Sequence, residues 1–129
     1  MLAAWIAVCR LDGLRGGLRA IAERESAHAE LLTDRLREMG APCTAVLDED
    51  VRSAALTRFG SERVSDEEKL AAVLSRYPDD ASATRPIVTM VDQLDHDLET
   101  REILRLVAEG EGATVAWLRA YHEGLARQR

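Results

Sequence analysis

Leu14-Arg-Gly-Gly-Leu18-Arg-Ala-Ile21-Ala-Glu-Arg-Glu25-Ser-Ala-His28-Ala-Glu-Leu-Leu32-Thr-Asp-Arg-Leu36-Arg-Glu-Met39 is the stretch around which the rest of the chain is organised. At helical spacing Leu14, Leu18, Ile21, Leu32, Leu36 and Met39 form one apolar stripe. Glu25 and His28 fall in the middle of it. A carboxylate and an imidazole on the buried side of a long helix cost desolvation energy unless a charge or a hydrogen-bonding group meets them there. A metal ion is one such partner; a polar group on a neighbouring helix is the other.

The length, 129 residues, fits one domain with room for a core that needs no staples. Hydrophobic residues make up 47% of the chain but aromatic ones only 4%, and strand-like alternation is absent, so an all-α protein is expected. A net charge of −6 argues against a nucleic-acid or anionic-membrane binder, because neutralising phosphates needs a basic face. Cys9 and Cys43 lack metal-finger spacing and read as reduced thiols of a cytoplasmic protein. The apolar run Met1 to Cys9 is too short to span a bilayer and lacks the basic start of a signal peptide.

Outward from the central stretch, Leu2, Trp5, Ile6 and Cys9 share a face of a short first helix ending near Asp12-Gly13. Gly13, Gly16 and Gly17 predict a weak helix start or a bend before Leu18. Gly40 and Pro42 close the long helix, as a left-handed C-cap and a barrier to continuation. A short helix with Val51, Ala55 and Phe59 turned inward is expected before Gly60. Ser65-Asp-Glu-Glu68 spells a capping box, predicting a helix from Asp66 to Tyr77. Pro78 to Pro86 is turn-rich, with Pro86 suited to the first turn of the next helix. The stripe Ile87, Val91, Leu94, Leu98 then loses phase against Ile103, Leu104, Val107 and Leu118, so a break or bend is expected near Asp97.

In the last segment Glu111 shares a face with Leu104, Val107, Thr114 and Leu118, repeating the arrangement of Glu25. Two such helices side by side would bring Glu25, His28 and Glu111 to one point. Glu111 also lies between Gly110 and Gly112, and exposure at a helix irregularity is the competing reading. His96 between Asp95 and Asp97 reads as a solvated cap, and His122 lies too far along the helix to share an ion with Glu111. Arg15, Arg19, Arg24, Arg35 and Arg37 read as a salt-bridged outer surface.

The run Glu25 to Pro42, with its Glu-x-x-His and Gly-x-Pro stop, resembles the second bundle helix of ferritin-like proteins. Asp97, Glu111 and Trp117-Leu118 resemble the last helix of bacterioferritins and mini-ferritins, with Thr114 where that family has a histidine. The resemblance implies an all-α, ferritin-like four-helix-type bundle with a short or missing first helix. It also implies metal ligands at Glu25, His28 and Glu111, with Glu67 and Glu68 as weaker candidates. The implied metal is iron or manganese, as one ion or a partial di-iron centre, and the implied assembly is a homo-oligomer such as a dimer. The full di-iron set needs a Glu from each of two helices and a Glu-x-x-His from each of two others, and this chain supplies only part of it. A metal-free scaffold for dimerisation or partner binding is the rival expectation.

Overall fold

The computed structural model describes all residues from Met1 to Arg129 and is all-helical. Six α-helices follow in order: α1 Leu2–Val8, α2 Asp12–Glu38, α3 Glu49–Phe59, α4 Asp66–Leu74, α5 Arg85–Asp92 and α6 Leu98–Arg127, with a 3-10 turn at Asp80–Ser82. No helix is long and apolar enough to cross a membrane.

The frame is the pair α2 and α6, of 27 and 30 residues, each roughly 40 Å or more in length. They run antiparallel. Gly13 meets Tyr121, Gly17 meets Trp117, Arg24 meets Thr114, His28 meets Gly110 and Arg35 meets Thr100, so one number rises as the other falls. α1 and α4 close over the end where α2 begins and α6 finishes, α3 packs on α1, and α5 lies on α6. The main core sits at that end and joins Trp5, Cys9, Leu14, Leu18, Ile21, Phe59, Leu70, Leu74, Val115 and Leu118. Val91, Val107 and Ala108 are buried outside it, in the region of α5 and the first half of α6.

Several boundaries differ from the sequence expectation. The first helix ends at Val8, not near Asp12-Gly13, because the chain turns extended at Cys9 and Asp66 gathers the freed donors. The Asp66 carboxylate accepts from the Trp5 indole N–H at 2.8 Å and from the backbone N–H groups of Arg10 and Leu11 at 2.8 and 3.3 Å. Burial opposes ionisation of Asp66, but these bonds outweigh it and hold its carboxyl below the usual range. Gly13, Gly16 and Gly17 form no bend; α2 is continuous from Asp12. α4 stops at Leu74, short of Tyr77, after a capping box in which Ser65 and Glu68 bond to each other's backbone N–H.

Other expectations hold. Gly40 follows α2 with a φ of 69°, and Pro86 stands in the first turn of α5. The chain breaks between Asp92 and Leu98, and Asp97 caps α6 by accepting from the Thr100 backbone N–H. Phe59 is buried and Ala55 half-buried as expected, but Val51, expected to turn inward, is exposed, because α3 meets α1 at its Phe59 end, where Phe59 packs on Trp5. Met39, placed in the buried stripe by periodicity, is 54% exposed, because α2 ends at Glu38 and Met39 is its C-cap, past the last helical turn.

Candidate metal centre

Glu25, His28 and Glu111 converge where α2 and α6 leave the main core. One ligand atom from each lies within 4.8 Å of the others. Glu25 and His28 stand one turn apart on α2, and Glu111 faces them from α6, so the antiparallel register alone brings the three together. Gly110 makes the approach possible: it is buried against the His28 ring, and a Cβ there would collide with that ring. Gly110 and Gly112 do not interrupt α6, which removes the alternative of an exposed Glu111 at a helix irregularity; the residue is half-buried.

The site is short of partners. Glu25 Oε1, His28 Nδ1 and Arg24 Nε are buried without any hydrogen bond, although buried polar groups are normally satisfied. Two carboxylates crowd each other here. Burial first, and repulsion by Glu25 second, push the Glu111 carboxyl up to about 7, with Arg24 pulling weakly the other way. The Glu111 carboxyl is therefore only partly ionised near neutrality in the absence of another cation.

The oxygen, oxygen and nitrogen donors suit a divalent ion such as iron, manganese or zinc. Glu25, His28 and Glu111 would hold such an ion, with the two carboxylates turning towards it by rotamer changes. The orphaned atoms of Glu25 and His28 are the groups such an ion would satisfy, and the residues present fit a single ion.

Thr114 accepts a hydrogen bond from Arg24 Nη2, so the position where a second imidazole was sought is tied to a guanidinium. Arg24 is thereby corrected: it is half-buried beside the cluster, not part of an outer surface. Its spacing carried the signal, because it stands one turn before His28. Arg35 is a second correction, with its side chain only 17% exposed. It joins Asp97 at 3.0 Å, Glu99 at 3.2 Å and Glu38 at 3.1 Å, and locks the end of α2 to the start of α6. The Thr100 hydroxyl and backbone N–H, with the Arg35 guanidinium, hold the Asp97 carboxyl low.

Glu67 and Glu68 do not reach the centre. Glu68 is spent in the capping box with Ser65, and Glu67 pairs with Arg129. His96 is exposed and His122 half-buried, and neither joins the cluster.

An apolar cavity of about 200 Å³ opens beside Glu25, Glu111 and Thr114 and is otherwise walled by hydrophobic side chains that include Trp5, Ile21 and Leu118. Comparison with family models, curated proteins and solved structures returns no match.

Proposed function

We propose that this protein is a divergent ferritin-like metalloprotein that holds one divalent ion, iron or manganese, at Glu25, His28 and Glu111. The observation that carries the reading is the convergence of these three side chains with buried, unpartnered atoms on two of them. The ferritin-like assignment rests on the Glu25-x-x-His28 and Glu111-to-Leu118 patterns standing on two antiparallel helices. A bound redox-active ion with open positions would supply O₂ or peroxide chemistry.

The chain's own residues set the terms. Glu25 and Glu111 provide charge, His28 provides the nitrogen donor, and Arg24 replaces a second ion with a fixed positive charge. A mononuclear centre follows from that replacement, since Thr114 and Arg24 offer no ligand pair for another metal. Leu106 and Trp117, 52% and 37% exposed on α6, are the surface on which self-association as a dimer is proposed. The free thiols of Cys9 and Cys43 fit a reducing, cytoplasmic setting.

A specific observation favours a second reading. Arg24 and the partly protonated Glu111 already offset much of the carboxylate charge, which favours a metal-free scaffold. Metal content decides between them. Untagged protein prepared without chelators, alongside a Glu25→Ala, His28→Ala variant, is analysed by mass spectrometry and then titrated with Fe²⁺ under argon. About one ion per chain, lost in the variant, is expected. A metal-free wild type that also ignores added Fe²⁺ and Mn²⁺ leaves the scaffold reading.

A further inference from the structure

The cavity beside the carboxylates has its own chemistry, independent of any metal. Three side chains on α2 and α6, Glu25, Glu111 and Thr114, line it with polar groups; Tyr77, with its hydroxyl, also lines it, and the rest of its wall is apolar, from α1, α2, α4 and α6. All three offer acceptor oxygens, and the Thr114 hydroxyl already accepts from Arg24. His28, only 8% exposed, adds an unpartnered ring nitrogen to the same cluster, and Glu25 adds an unpartnered oxygen.

We propose that this cavity binds a small apolar primary amine, with its ammonium on Glu25 and Glu111 and its hydrocarbon body against Trp5, Ile21, Val73 and Leu118. A head that only accepts, such as a carboxylate, meets like charge. A neutral hydroxyl satisfies one oxygen. An ammonium carries three donors and a charge, and charge-assisted bonds are about twice as strong as neutral ones. The volume sets the size. A dry cavity of about 150 Å³ is enough for benzene, so about 200 Å³ takes a single ring or a short alkyl chain with its amine. The ammonium and a divalent ion need the same two carboxylates, so the two ligands exclude each other.

The test uses the full chain after chelator treatment, with benzylamine as probe and benzyl alcohol and benzoate as shape-matched controls, followed by calorimetry. Benzylamine should bind about tenfold or more tightly than benzyl alcohol, and benzoate should not bind. Glu111→Gln should lower the preference for the amine while retaining the alcohol. Val73→Phe, which fills the cavity away from the carboxylates, should abolish binding of benzylamine and benzyl alcohol yet leave Mn²⁺ binding intact. Added Mn²⁺ should displace benzylamine competitively. Equal affinity for the three probes, no binding of benzylamine, or unchanged amine binding in Val73→Phe each overturns the proposal. Discrimination for the amine in a chain that takes no metal keeps this site and removes the metal reading; metal binding without amine binding does the reverse.

Discussion

The guanidinium of Arg24 on α2 donates to the hydroxyl of Thr114 on α6, directly beside the carboxylates of Glu25 and Glu111. A fixed positive charge thus stands next to a site that would attract cations. Arg24 therefore tempers the affinity of the cluster for a metal while lowering the cost of leaving it empty.

Arg24→Met should strengthen Mn²⁺ binding at about pH 8 by roughly 1–2 kcal/mol, tenfold or somewhat more, because a competing charge is removed from a partly buried site. Nearer pH 6.5 the gain should shrink, since Glu111 loses the group that favours its ionised form. Competition titrations with a metal indicator measure both. Weaker Mn²⁺ binding in Arg24→Met at the higher pH would count against a repulsive role.

Gly16 and Gly17 give opposite expectations from adjacent positions. No heavy atom lies within 4 Å of a Cβ built on Gly16, whereas one on Gly17 collides with the Trp117 ring. Gly16→Ala should stabilise the protein by about 0.5–1 kcal/mol through helix propensity. Gly17→Ala gains the same propensity but must displace an indole, and overpacking costs about 1–3 kcal/mol. It should come out destabilising, with changed Trp fluorescence. Equal effects in urea unfolding would mean that the α2–α6 contact is looser than described.

Asp66→Asn should be costly for its position near the surface. One carboxylate accepts from the Trp5 indole and from two backbone N–H groups at the α1–α2 link, and an amide offers one acceptor oxygen in place of two. A loss of about 1–3 kcal/mol is expected from the orphaned donors. The depressed carboxyl has a sign as well: it favours the fold at pH values above the unfolded carboxyl's range, and that stability is lost as pH falls through the folded value. Acid unfolding of the wild type should thus contain a component that Asp66→Asn lacks, visible in the indole proton resonance of Trp5.

The long helices were legible in the sequence because their stripes and stops are local: Leu14, Leu18 and Ile21 repeat at helical spacing, and Gly40, Pro42, Ser65 and Pro86 mark ends. The cluster of Glu25, His28 and Glu111 was legible for the same reason, each acid lying within its own stripe. The remainder depends on which surfaces meet. Arg24 differs locally from Arg19 only in standing one turn before His28, and it takes the antiparallel register to set Arg24 against Thr114 and leave Arg19 exposed. Gly17 looks like a helix breaker until Trp117, a hundred residues away, comes to rest on it. Asp66 reads as an ordinary first-turn acid, because the donors that it satisfies lie 55 to 61 residues earlier in the chain.

Glu111 supplies the pH dependence that separates the two functional readings. Its carboxyl sits near 7 in the fold, from burial and then from Glu25, against an unfolded value of 4.5. Between those values the folded state holds more protons than the unfolded state, so stability must fall as pH rises through the window and level off above it. Urea midpoints of chelator-treated wild type should therefore decline from about pH 5 to about pH 8, while Glu111→Gln, with no proton to lose, should show a flatter profile over the same range. A divalent ion would replace the proton. Saturating Mn²⁺ should abolish the decline, raise the midpoint most at the alkaline end, and release protons on binding near pH 6.5. A profile that declines equally with and without Mn²⁺ would show that the carboxylates answer only to Arg24 and to each other, and the metal reading would be withdrawn.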